Sequence, residues 1–122
     1  MRAAIRRYDP NTEFFIDEGC YITELSNTGD DPDVSIARAR VPPGVRTRWH
    51  RLEATVERYV VLEGTGTVEV SGLEPSSVGP GDVVLIPPDA AQRIRNDGTD
   101  DLVFLAVCSP RFRPEVYRDS VR

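Results

Sequence analysis

Residues 44–64 read GVRTRWHRLEATVERYVVLEG and contain His50, the only histidine in the chain. Val45 to Arg51 and Glu57 to Glu63 have the composition of two strands. If the segment folds as a hairpin about Glu53 and Ala54, His50 falls opposite Glu57 and Arg48 opposite Tyr59. Side chains alternate along a strand, so Arg48, His50 and Leu52 share one face, and Glu57, Tyr59 and Val61 share the matching face. Directly opposed Cβ atoms lie about 5 Å apart. That separation lets an imidazole and a carboxylate touch each other or one ion.

Further along, a second pattern stands at a suitable distance. Gly44, His50, Leu52, Glu57 and Gly64 are spaced as in the first motif of the cupin superfamily, and Gly81, Pro87, Gln92 and Asn96 resemble the second. The resemblance spans Gly44 to Asn96 and implies an all-β cupin fold, a double-stranded β-helix or jelly-roll barrel of about ten short strands in two antiparallel sheets. It also implies a metal set of three histidines and one glutamate. In this chain His50 and Glu57 hold two of those positions, Leu52 replaces the second histidine, Gln92 replaces the third, and Asp89 stands at the second motif's central glycine.

Composition bounds the remaining choices. A chain of 122 residues buries roughly two thirds of its extended surface and needs no covalent staple. Cys20 and Cys108 are too few for a disulfide framework. The absence of a long apolar run or a charged-then-apolar leader predicts a cytoplasmic protein. A net charge of −5 argues against nucleic acid or an anionic membrane surface as partner. Every basic residue is arginine, which composition alone explains.

In order, the chain is expected to form a single domain over 1–122: an arm with its strands over 1–25, a core barrel over about 34–108, and a tail over 110–122. Phe14 to Ile16 is a short strand, and Cys20 to Leu25 alternates Cys20, Ile22 and Glu24 against Tyr21, Thr23 and Leu25. Asn27 to Asp33 is a solvated turn. Val34 to Val41 places Val34, Ile36, Arg38 and Arg40 on one face and Ser35, Ala37, Ala39 and Val41 on the other, the arginines facing outward. Thr65 to Val70 has one wet face. Val83 to Ile86 and Leu102 to Cys108 read as strands packed on both sides. Ala91 to Asn96 aligns Gln92, Ile94 and Asn96. After Pro114 a short helical turn carrying Val116 and Tyr117 packs over the barrel edge. The resemblance adds a homodimer formed through the amino-terminal strands.

The inward groups support two arrangements. In one, His50, Glu57 and Gln92 hold a divalent transition metal (Mn, Fe, Zn or Ni) with open positions for water or substrate. In the other no metal is bound, and Arg48 neutralises Glu57 while His50 and Tyr59 hydrogen-bond around the pair. Either pocket would take a small molecule, an anion among the options, with His50, Glu57 and Tyr59 as catalytic groups and Arg48 and Gln92 as substrate-binding groups. If the protein is an enzyme, the resemblance implies a metal-assisted isomerase or lyase, or an iron-dependent dioxygenase. A metal-free, non-catalytic sugar- or small-molecule-binding protein is the alternative. Cys108 reads as an inert buried thiol.

Overall fold

The computed structural model describes residues 1–121. Eleven strands follow one another: β1 (Phe14–Ile16), β2 (Cys20–Ser26), β3 (Ser35–Val41), β4 (His50–Leu52), β5 (Val56–Glu63), β6 (Gly66–Val70), β7 (Ser76–Val78), β8 (Val83–Ile86), β9 (Gln92–Asn96), β10 (Leu102–Ser109) and β11 (Tyr117–Asp119). Single 3-10 turns occupy Pro10–Thr12 and Pro114–Val116, each opened by proline at a position where its missing N–H costs nothing. The strands form two antiparallel sheets, one in the order β1-β2-β3-β10-β5-β8 and the other β11-β4-β9-β6-β7. This is the expected all-β jelly roll. Among the described residues no helix is long and apolar enough to cross a membrane.

The period-two pattern places the core. Ala39 and Val41 of β3, Tyr59 and Val61 of β5, Val84 and Ile86 of β8, Leu102 and Phe104 of β10, and Val68, Val70 and Ile94 from the other sheet pack between the layers. Their burial is the main stabilising contribution, roughly 1.5–3 kcal/mol for each fully buried large apolar side chain. Asn96, the last landmark of the second motif, is 1% exposed. Its Nδ2 donates to Val41 O and Asp100 O at 2.8 Å each, and its Oδ1 accepts from Gly98 N at 2.9 Å. One side chain thereby ties the end of β9 to β3 and shapes the turn into β10.

The central hairpin does not form. β4 pairs with β11 and β9, whereas β5 pairs with β10 and β8. Residues 53–55 carry the chain from one sheet to the other, so His50 lies opposite Gln92 rather than Glu57, and Tyr59 lies opposite Ala106 and Val84 rather than Arg48. The reason is backbone satisfaction: β5 pairs over seven positions with β10 and over four with β8, and a three-residue β4 offers fewer partners than either. Ala54, inside the crossing, has φ 50°, a left-handed conformation unfavourable for a residue with a Cβ. Ala54→Gly is therefore expected to stabilise the protein by roughly 0.5–1 kcal/mol, read as a higher urea midpoint at unchanged slope.

β8 also departs from expectation. It is an edge strand with β5 as its neighbour; Val84 and Ile86 point inward, but Val83 and Leu85 are 55% and 65% exposed because no second layer covers that face. In β10, Leu102, Val103, Phe104 and Cys108 are buried and Leu105 to Val107 are half-buried. Arg38 and Arg40 face outward, as expected. Both lie against Glu13 of the arm, Arg40 at 2.7 Å and Arg38 at 3.7 Å, and the Arg40 guanidinium sits 4.2 Å from the Tyr21 ring centre. Phe14 and Phe15 on edge strand β1 are about half exposed.

Candidate functional site

At one end of the barrel the two sheets part around a cavity of about 620 Å³. Its floor owes its openness to small side chains: Ser35 and Ala37 of β3 lie beside Cys108 and Ala106 of β10, in register. Farther along the same strands Ala39 faces Phe104, and there the interior is filled. Ile16, Ile22, Leu52 and Phe112 add apolar wall.

His50 enters from β4 and is 3% exposed. Its Nδ1 lies 2.9 Å from Arg48 O. A carbonyl only accepts, so Nδ1 carries the proton and Nε2 faces the cavity with its lone pair or, when charged, with a second N–H. Nε2 is 3.5 Å from Glu18 Oε2. On its flat side the ring stacks on Tyr117 of β11, with centroids 5.2 Å apart and planes 12° apart. Three separate elements thus orient one imidazole.

Glu57 enters from β5 in the opposite sheet. Its Oε1 accepts from Gln92 Nε2 at 2.6 Å, and its Oε2 faces the Cys108 thiol at 3.8 Å. Behind it the Tyr59 hydroxyl donates to Gln92 Oε1, so Tyr59 fixes Gln92 and Gln92 fixes Glu57. Burial pushes the Glu57 carboxyl up to about 7, with the Glu18 charge adding to the rise; His50 and the Gln92 and Cys108 hydrogen bonds only partly offset it. Burial likewise raises Glu24. Cys20, whose thiol donates to Glu18 Oε1 at 3.3 Å, and Cys108 are both driven far up by burial and by neighbouring carboxylates. Both thiols stay protonated and unreactive.

His50 and Glu57 line this cavity from opposite sheets, whereas Gln92, which was expected to join them there, lies behind Glu57 and does not line it. Arg48 does not neutralise Glu57. It sits at the rim, with its side chain 53% exposed and 3.4 Å from Asp119. Tyr59 lies behind Gln92 and does not line the cavity. Glu18 is the participant that sequence reasoning missed: it occupies the β1–β2 turn and reaches the site because the turn packs against the approach to β4, where Arg48 N donates to Glu18 O at 2.9 Å.

The donor set does not fit the family's metal. Leu52 supplies no ligand, and both ends of the Gln92 amide are spent on Tyr59 and Glu57. Among the described residues no three His, Cys, Asp or Glu side chains are grouped to hold an ion.

The family model for the cupin domain matches residues 37–108, the stretch that builds β3 to β10. This chain is a cupin. Over 117 residues it is 31% identical to the protein MJ1618 of Methanocaldococcus jannaschii, covering 94% of the chain and 93% of that protein. An oxalate-binding protein of Thermotoga maritima is 35% identical over 71 residues, 58% of each chain. Among solved structures, KdgF from a Halomonas species superposes with a TM-score of 0.79 at 19% identity, covering 93% of this cupin and 98% of that chain. At that identity the likeness concerns the fold.

Proposed function

We propose that this cupin acts on a small organic molecule by general acid–base catalysis, moving a proton next to a carbonyl or hydroxyl group in an isomerisation or elimination. The observation that supports this reading is the pairing of an oriented imidazole with a buried carboxyl that titrates at about 7 in one cavity. A group titrating near the working pH serves as acid or base with little penalty. His50 Nε2 is the base, with Glu18 placed to stabilise the imidazolium, and Glu57 is the acid, half of it protonated at neutral pH. Gln92 and Tyr59 are positioning residues: they hold Glu57 but do not reach the substrate. No metal is required for these steps.

A panel of aldehydes, ketones and hydroxy acids incubated with the protein in deuterium oxide tests the reading by proton NMR. Deuterium should enter the carbon next to the carbonyl of at least one compound, and His50→Ala should abolish the exchange. The oxalate-binding relative supports a second reading, a non-catalytic binding protein. Thermal stabilisation by a compound without any exchange would favour that one.

A further inference from the structure

The segment that follows β10 has no regular structure at residues 111–113, yet it is pinned to the barrel. Arg111 N donates to Pro32 O at 3.0 Å, and Arg111 Nη1 donates to Asn27 Oδ1 at 2.9 Å. Asn27 Nδ2 donates to Phe112 O at 2.9 Å, and Phe112 N donates to Ser35 Oγ at 2.8 Å. These bonds converge on two neighbouring residues and set the Phe112 side chain as a wall of the cavity.

The same bonds use up polar groups along that wall. Both ends of the Asn27 amide are engaged. Ser35, 3% exposed, accepts from Phe112 N, and its own O–H lies against the Cys108 sulfur. The Tyr117 hydroxyl is shut off from solvent beside Arg48. Asp17, Glu24 and Arg48 are exposed and belong to the rim. For the polar atoms of a ligand inside the cavity there remains the corner of His50, Glu18 and Glu57; the rest of the wall is Ile16, Ile22, Ala37, Leu52, Ala106 and Phe112.

This distribution separates classes of ligand. A hydroxyl at the rim keeps its water, but one turned toward the apolar wall gives up water and receives no partner, which lowers affinity by roughly tenfold. An aryl or alkyl body gains from the same contact. We propose that the ligand of this cavity is a carbonyl compound with an apolar body, its oxygen in the corner of His50 and Glu57 and its body against Phe112, the residue that sets specificity. The proposal rests on the acid–base reading of this cavity and deepens it, and it sets aside sugars and small dicarboxylates as substrates.

The probes 4-phenylbutan-2-one and erythrulose present the same ketone on a four-carbon chain, one bearing a phenyl ring and the other three hydroxyls. Titration calorimetry of the full chain at pH 7.5 should show the aryl ketone binding at least tenfold tighter than erythrulose or oxalate. Phe112→Ala should lower aryl ketone affinity about fivefold, and Phe112→Leu should restore most of it, since both variants keep the backbone bonds of the segment. Erythrulose or oxalate binding as tightly as the aryl ketone would overturn the proposal. So would an aryl ketone that fails to bind, or one whose affinity is the same in folded Phe112→Ala. Tight aryl ketone binding without deuterium exchange into any compound would leave the proposal standing and remove the acid–base reading. Exchange confined to hydroxylated or anionic compounds would do the reverse.

Discussion

Glu57→Gln is expected to make the protein more stable at pH 8 than the parent, by roughly 3 kcal/mol, or about 10 °C in Tm. The carboxyl rises from its ordinary 4.5 to about 7 on folding, because burial penalises the charged form. Between those values the folded state holds a proton that the unfolded state has released. Glu57 therefore destabilises nothing below pH 4.5, and stability drains away as pH rises to 7, after which the loss is complete. Glutamine keeps the shape, still accepts from Gln92 Nε2, and carries no charge at any pH. Thermal melts of both proteins between pH 4.5 and 8 should diverge progressively, the parent falling relative to the variant. Parallel curves would show that Glu57 is ionised in the folded state without penalty and would remove the basis for its role as the acid.

The second large effect is a loss. Gly64, the closing landmark of the first motif, has φ +79°, and a Cβ built there would lie 2.5 Å from Asp101 O and 3.0 Å from Leu102 Cα. Both atoms belong to backbone just before and within β10, whose register with β3 and β5 positions Cys108 and Ala106 at the cavity. Gly64→Ala combines left-handed strain with an immovable contact and is expected to cost about 3 kcal/mol. Gly72, at φ +91° with nothing within 4 Å, is the control: its alanine variant carries the strain without the collision and should lose only about 1 kcal/mol. Urea unfolding of the pair separates the two contributions. Equal losses would mean that the β5–β6 turn yields to accommodate the methyl group.

Particular residues explain how far the sequence could be read. The faces of β3 and β9 follow from alternation, because each strand lies in a sheet with one side toward the core; Ser35, Ala37, Ala39 and Val41 point inward, as do Gln92, Ile94 and Asn96. Glu24 shares the inward face of β2 with Cys20 and Ile22 for the same reason and ends in the cavity. Alternation has no power over pairing. A turn that reverses a strand within one sheet and a crossing that carries it to the other have similar local composition, so composition alone suggests a hairpin about Glu53 and Ala54 where the chain in fact crosses between sheets. Glu18 was out of reach for another reason: its place depends on a turn packed against residues distant in the chain, and nothing in the turn itself signals it. Asp89 is intermediate. Its φ of 66° accounts for the glycine of the family pattern, and aspartate is among the few residues that tolerate such a backbone.

β11 is only three residues long and lies at the margin of its sheet, yet its Tyr117 covers one side of the His50 ring. The imidazole therefore borrows part of its shelter from a segment held to the barrel by a short ladder against β4. Trimming by a protease after Pro114 would remove that cover while sparing the core, leaving a folded barrel with its histidine bared to water on one side.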